Sequence, residues 1–459
     1  MSTWPLNRRA FLKCGAFSIA AGQTPKAPPP NFIFIMADDM GVFDLGCYGQ
    51  KLIRTPNIDR LASEGMRFTS CYAGAAVCAP SRSVLMTGQH TGHTTVRANA
   101  SGRTGQRVSL KAEDVTIAQI LKGNEWKHGF DENYGYATGI FGKWGLGDPG
   151  TSGLPNDHGF DEWYGFLNQQ HAHNHYPQYL WRNKTRETLK GNLNGQQREY
   201  ASDLMAREAL YFMDRHRYEP FFLYFTPTIP HAEIKAPELG EYANQPWSDE
   251  AKNYAAMVTR MDSYVGRIMA KLKESGLDKN TLVFYCSDNG GVFDPRPFGT
   301  MGPLRAKKGT LYEGGLRVPM IARWSGKIKP GAVSDYPWSF VDLLPTLADL
   351  AGARGIPRNV DGVSVAPVLL GGKPRLADRP LYWESFDGGG FSQAVRMGKW
   401  KGVRHGLGQP VELYNLETDP GEASDVAGLN RDTAESIKKH MDASHVDAEE
   451  YPIQDRKKR

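Results

Sequence analysis

Cysteine is scarce in this chain, with five in 459 residues. Cys14, Cys47, Cys71, Cys78 and Cys286 cannot supply a disulfide framework for a fold of this size, so stability must come from an ordinary buried core. One bridge among Cys47, Cys71 and Cys286 is allowed and none is required. No His/Cys cluster has the spacing of a zinc site. No stretch reaches the ~20 apolar residues of a membrane span. An excess of one charge is also lacking, since Lys and Arg number 55 against 50 Asp and Glu, a formal net charge of +5. Arg8, Arg9 and Lys13 carry three of those five charges, with no acidic residue before Gly22. A remainder so close to neutral gives no ground for nucleic-acid binding, and any preference for anions has to come from local groups. Internal repeats are absent. A chain that is 40% hydrophobic and 23% charged buries a sizeable core and is not mainly disordered.

The apolar residues fall into continuous runs. Asn31 to Met36 ends in Ala37-Asp38-Asp39-Met40-Gly41, and Thr281 to Cys286 ends in Ser287-Asp288-Asn289-Gly290-Gly291. Phe221 to Phe225 runs into a loop holding His231. Runs of this length without alternation predict strands buried on both faces, each delivering polar side chains at its C-terminal end, the edge where open α/β sheets bind ligands. From Asn253 to Ser275, Met257, Met261, Val265, Ile268 and Leu272 recur at three- and four-residue steps before Gly276 and predict a helix whose methionines are core. Strands alternating with helices predict an α/β sheet between helical layers. The turn-rich Gly371-Gly372-Lys373-Pro374 predicts a boundary, with a catalytic domain over 28–372 and a smaller α+β subdomain over 373–459. In the latter, Leu381-Tyr382-Trp383 and Leu413-Tyr414-Asn415 read as strands of a short antiparallel sheet, followed by a helix from about Arg431 to Ser444.

Asn7-Arg8-Arg9-Ala10-Phe11-Leu12-Lys13 resembles a twin-arginine export signal, followed by a short apolar run and a small-residue cleavage candidate at Ala20-Ala21-Gly22. Residues 1–24 therefore read as a signal peptide, and the mature protein as periplasmic or extracellular, with no membrane span.

The segment from Val77 to Gly88 carries the sharpest chemistry. Pro80 is at home in a helix's first turn, which puts Cys78 at or just before a helix N-terminus. Unpaired N–H groups and the positive pole of the helix dipole attract anions there, and one turn brings Arg82 to the same opening. Asp38, Asp39, Asp288 and Asn289 supply hard oxygen donors of the kind calcium or magnesium prefers.

The pattern Cys78-Ala79-Pro80-Ser81-Arg82 with Leu85-Met86-Thr87-Gly88 resembles the signature of type I, formylglycine-dependent sulfatases of the alkaline-phosphatase-like superfamily. Further segments similar to that family follow in order from Asn31 to about Glu422. The resemblance implies an alkaline-phosphatase-like large mixed sheet between helices. It implies that Cys78 is oxidised to formylglycine by a separate generating enzyme, and that one calcium is held by Asp38, Asp39, Asp288, Asn289 and the oxygen of modified residue 78. It also implies that Lys143, in Gly142-Lys143-Trp144-Gly145, and Lys308, in Lys308-Gly309-Thr310-Leu311-Tyr312-Glu313-Gly314-Gly315, hold the sulfate, while His231 serves the leaving alcohol. Lys307 is expected to be a solvated surface charge. In the implied mechanism one hydroxyl of the hydrated aldehyde attacks sulfur, and the second later loses its proton and ejects sulfate. An unmodified thiol has no second hydroxyl and would stop after one round.

The pattern breaks at one position. Relatives commonly carry histidine after Lys-Trp, whereas this chain has Gly145. His171 and His173, in Gln169-Gln170-His171-Ala172-His173-Asn174-His175, are candidates for acid/base help or substrate contact. The expected function is hydrolysis of sulfate esters, on a carbohydrate. Phosphodiester or phosphonate hydrolysis in the same superfamily, and non-catalytic binding of a sulfated glycan, are the alternatives.

Overall fold

The computed structural model describes residues 28–123, 135–292, 297–353, 355–376, 378–387 and 390–453. The signal-peptide reading and Cys14 lie outside the described residues. Ten strands form the main sheet: β1 (Asn31–Ala37), β2 (Met66–Phe68), β3 (Ala137–Lys143), β4 (Glu162–Phe166), β5 (Tyr179–Arg182), β6 (Thr185–Thr188), β7 (Phe221–Thr226), β8 (Thr281–Ser287), β9 (Met320–Trp324) and β10 (Ala332–Ser334). Their spatial order is β10-β2-β9-β8-β1-β7-β3-β4-β5-β6. From β8 through β4 neighbours are parallel, and antiparallel pairs flank this block on both sides.

The continuous apolar runs become central strands because both faces are covered. In β1, Ile33 and Ile35 point into one core and Phe32, Phe34 and Met36 into the other. Val283 and Tyr285 of β8 share the first core, and Leu282 and Phe284 the second. The first face is covered by helices α1 (Pro56–Glu64), α3 (Ala201–Arg215) and α4 (Asp249–Glu274), and the second by α2 (Cys78–Thr87) and α5 (Leu343–Ala351). This is the layered α/β sheet expected from the sequence.

Helix α4 begins four residues before the apolar periodicity does. Ser248 accepts the Ala251 N–H at 3.2 Å, and Asp249 and Glu250 complement the dipole in the first turn. Its opening turn is built by polar caps, so an apolar pattern starts late.

A separate antiparallel sheet holds β11 (Leu381–Ser385), β12 (Ser392–Met397), β13 (Trp400–Arg404) and β14 (Glu412–Asn415), with α6 (Arg431–Ser444) packed on it. A buried charge cluster joins this sheet to the segment that follows Lys308. Lys401 of β13 is fully buried and lies 2.9 Å from both Glu313 and Glu422. Glu422 accepts the Glu313 N–H at 2.7 Å, and Tyr72 donates to Glu313 at 2.9 Å. Cys71 and Cys286 are buried, Cys47 is half-buried, and all three thiols are free. Among the described residues no helix is long and apolar enough to cross a membrane.

Candidate active site

Four adjacent parallel strands, in the order β8, β1, β7, β3, end at one edge of the sheet. Asp38 and Asp39 follow β1, Asp288 and Asn289 follow β8, Thr226 closes β7 and Lys143 closes β3. Residues far apart in sequence therefore meet because their strands pair in register. Asp39 sits at φ +69, a region aspartate tolerates better than most residues. Its N–H donates to Asp288 Oδ1 at 3.1 Å, which fixes the two strand-end turns together.

Cys78 is the first residue of α2, after an extended Val77, as Pro80 predicts. The Ala79 N–H donates to Asn99 Oδ1 at 3.1 Å. Ser81 Oγ accepts the Gly74 N–H and donates to the Asp288 carbonyl, tying the helix start to the end of β8. Cys78 Sγ lies 3.7 Å from Asp38 Oδ1 and 3.3 Å from Lys308 Nζ. Lys308 also lies 2.7 Å from Asp39 and 3.4 Å from His231 Nε2, which is itself 3.3 Å from Asp39 Oδ2. Lys143, fully buried, donates to Asp38 Oδ2 at 2.8 Å. Arg82 bonds Asp288 at 2.9 Å, the Lys143 carbonyl at 2.7 Å and Thr226 Oγ1 at 2.6 Å, so both of its terminal amino groups are engaged by protein groups.

The charges at this edge set each other's protonation. Burial alone would raise Asp38, but Lys143, His231, Arg82 and Lys308 outweigh it and hold the carboxyl well below the usual range. Burial and the neighbouring Asp38 push Asp288 up, against Arg82 and Lys143. Burial pushes the Cys78 thiol up to about 12, despite Lys143 and Lys308. The thiol is thus held protonated and is a poor nucleophile as it stands.

Donor atoms from Asp38, Asp39, Cys78 and His231 lie within 4.8 Å of one another, a spacing that could surround one ion. Asn289 donates to Asp39 Oδ1 at 2.8 Å, while its own Oδ1 is buried and accepts no hydrogen bond among the described residues. An orphaned amide oxygen beside three carboxylates fits a hard divalent cation.

The histidine-rich segment divides. The His173 ring stacks on His231 at 4.7 Å and 21°, and His231, Lys143 and Lys308 all act on it. His171 packs instead against Phe166 at 4.9 Å and Tyr179 at 4.4 Å, and burial, aided by Arg186, pushes it down to about 4. His175 bonds the His231 carbonyl at 3.1 Å. Gly145 has φ +83, and a Cβ there would meet Gln169 Nε2 at 2.5 Å. The Gln169 amide occupies that space and donates to the Gly145 carbonyl at 3.3 Å.

Thr226 and Asn99 were not legible as site residues in the sequence, since each works by orienting a recognised residue across the fold and neither stands in a motif of its own. His175 belongs to the histidine run singled out in the sequence, and it acts on the His231 backbone. Lys307 is exposed, as expected of a surface charge.

Comparisons with known proteins agree with this geometry. Residues 30–353 match the Sulfatase family, and residues 306–450 match the family described as N-sulphoglucosamine sulphohydrolase, C-terminal. The chain is 33% identical to arylsulfatase A of Homo sapiens, over 92% of this chain and 88% of that protein. It is 32% identical to N-acetylgalactosamine-6-sulfatase of Canis lupus familiaris, over 93% and 81%. The crystal structure of Ps i-CgsB in complex with k-i-k-neocarrahexaose superposes with a TM-score of 0.78 at 31% identity, over 90% of this chain and 92% of that one. With the strand-end carboxylates, the helix-opening cysteine and the lysines at its side all in place, this chain belongs to the sulfatase family, enzymes that hydrolyse sulfate esters.

Proposed function

We propose that the enzyme cleaves sulfate esters of a carbohydrate, with residue 78 acting as formylglycine beside a calcium ion. The observation that carries this reading is the convergence, around one helix N-terminus, of Cys78, the buried Lys143, the half-buried Lys308 and the carboxylates of two strand ends. The protonated thiol of Cys78 supports the need for oxidation before residue 78 can attack sulfur. Asp38, Asp39, Asp288 and Asn289 would hold the calcium, which supplies Lewis acidity and offsets the charge of sulfate oxygens.

The chain's own residues do the rest. Lys143 and Lys308 bracket residue 78 and neutralise sulfuryl oxygens in a site largely closed to water. Arg82 orients Asp38 and Asp288 and offsets their negative charge. His231 Nε2 delivers a proton to the departing alcohol oxygen, and the His175 contact with its carbonyl sets its position. His173, stacked on His231, takes the place of the missing histidine at position 145 as the second proton-handling group. Export through residues 1–24 completes the reading. The named activities of N-acetylgalactosamine-6-sulfatase and the oligosaccharide held by Ps i-CgsB support a carbohydrate substrate.

The test is hydrolysis of a panel of sulfated monosaccharides, glycosaminoglycans and algal polysaccharides, alongside mass spectrometry of the Cys78 peptide from the native host. Sulfate release together with an aldehyde at residue 78 is expected. An intact thiol with no release overturns it, and faster release of phosphate from phosphodiesters would favour the phosphoryl alternative.

A further inference from the structure

One carboxylate near the pocket has no work in the mechanism above. Asp387 lies just beyond the end of β11, a strand fastened to the nucleophile's own side of the fold. Trp383 donates to the Ala73 carbonyl at 2.9 Å, the Glu384 N–H donates to Thr91 Oγ1 at 2.6 Å, and Trp383 shares an apolar cluster with Ala76 and Leu311. Ala76 in turn accepts the Gly309 N–H at 2.8 Å, one residue from Lys308. Asp387 uses its N–H on Ser385 Oγ at 3.2 Å, yet its carboxylate accepts no hydrogen bond among the described residues, and Oδ2 is buried. Burial pushes this carboxyl up to about 6, and the charge that opposes the shift is Lys308.

Two further groups lie on this side of the fold with capacity to spare, Asn99 at the start of the nucleophile's helix and Phe386 next to Asp387 in the chain. Asn99, half-buried, spends its Oδ1 on the Ala79 N–H next to Cys78, while its Nδ2 donates to no acceptor among the described residues. Phe386, half-buried, is held by Phe391 at 5.2 Å and Tyr451 at 5.3 Å between ring centroids. A buried acceptor left without a donor costs about 1–3 kcal/mol, so native folds keep one where a ligand or water completes it. An acceptor, a donor and an aromatic ring on the side of the fold that carries residue 78 and Lys308 are the complement of a sugar, whose hydroxyls donate and accept while its C–H face packs on the ring.

We propose that Asp387, Asn99 and Phe386 form the subsite for the sugar ring that carries the scissile sulfate, selecting a ring whose other substituents are neutral. The ring's hydroxyls donate to Asp387 and accept from Asn99 Nδ2. A second sulfate or a carboxylate on that side meets the negative charge of Asp387 and is rejected. This rests on the sulfate-ester reading of the Lys308 pocket.

The test compares wild type, Asp387→Ala and Asp387→Asn in the full chain. Each is assayed on the neutral sulfated monosaccharide it cleaves best, on a disulfated sugar, and on 4-nitrophenyl sulfate, which offers no hydroxyls. In Asp387→Ala the ratio of kcat/KM on the neutral sugar to that on the aryl sulfate falls fivefold or more, chiefly through KM; a smaller change overturns the subsite. Asp387→Asn keeps an acceptor and loses the charge, so the disulfated-to-monosulfated ratio rises fivefold or more, and no rise overturns the charge selection. Wild type active on the aryl sulfate and on no sugar overturns the subsite alone. Wild type inert on every sulfate ester overturns the pocket reading beneath it.

Discussion

Lys308 Nζ stands 3.3 Å from the sulfur of Cys78. A cation so close to a thiol normally acidifies it, but here burial wins and the thiol rises to about 12. Cys78→Ala is expected to lower kcat/KM by at least ~10³-fold while leaving the thermal transition near that of wild type, because the deleted atom is one sulfur at a helix start. Steady-state kinetics paired with calorimetry check both halves.

The two lysines differ in what their loss exposes. Lys308 is partly open to solvent, with 13% of its side chain exposed, whereas Lys143 is closed off against Asp38. Lys308→Ala should slow kcat by about 10²–10³-fold, roughly 3–4 kcal/mol of barrier, in a protein that still folds. Lys143→Ala removes the 2.8 Å partner of a buried carboxylate and leaves Arg82 at 3.4 Å, so it should in addition cost about 1–3 kcal/mol of stability. Urea titration of both variants separates the effects.

His171 and His173 lie two residues apart and face different surroundings. His173→Ala is expected to reduce kcat/KM by about 10²-fold, since its ring lies on His231. His171→Ala empties a space between Phe166 and Tyr179 and should register as a loss of ~1–2 kcal/mol of stability. Equal kinetic losses in the two variants would contradict the division of roles.

His90 provides a pH dependence away from the chemistry. Burial, against the pull of Asp361, pushes it down to about 4 from an ordinary 6.5. The unfolded chain then binds a proton that the folded chain refuses, so stability is lost as pH falls from about 6.5 to about 4. The loss amounts to at most about 3 kcal/mol. His90→Gln should flatten this part of the stability curve, measured as the difference in Tm between variant and wild type across that window.

Calcium can be tested by removal. A chelator should abolish turnover and lower Tm, and calcium at a hundredfold excess over its Kd should restore about 2.7 kcal/mol of stability. In Asp288→Ala calorimetric titration should show much weaker binding, and an unchanged isotherm would contradict the assignment.

The parts legible in the sequence were those written in local pattern. Phe32 to Met36 and Leu282 to Cys286 announced buried strands because covering both faces requires unbroken apolar runs, and Pro80 marked the start of α2 because its ring is tolerated there. What stayed hidden depends on contacts across the fold. Thr226 matters only because β7 ends beside Arg82, and Asn99 only because its loop reaches the helix start. Gly145 reads as a gap in sequence, yet in space the gap is filled by Gln169, a residue on a different element. The polar first turn of α4 carried no apolar rhythm to detect.

Lys401 has a consequence for how such a protein can be rearranged. Its ammonium neutralises Glu313, five residues along the backbone from Lys308, and both charges are sealed from water. A chain cut ahead of the small sheet would leave that glutamate with Arg317, four residues on, as a salt-bridge partner for one oxygen, and strip the buried cation from the other. The C-terminal portion is therefore no interchangeable appendage. Grafting it from a relative should succeed only when the incoming partner brings its own buried cation to the same point.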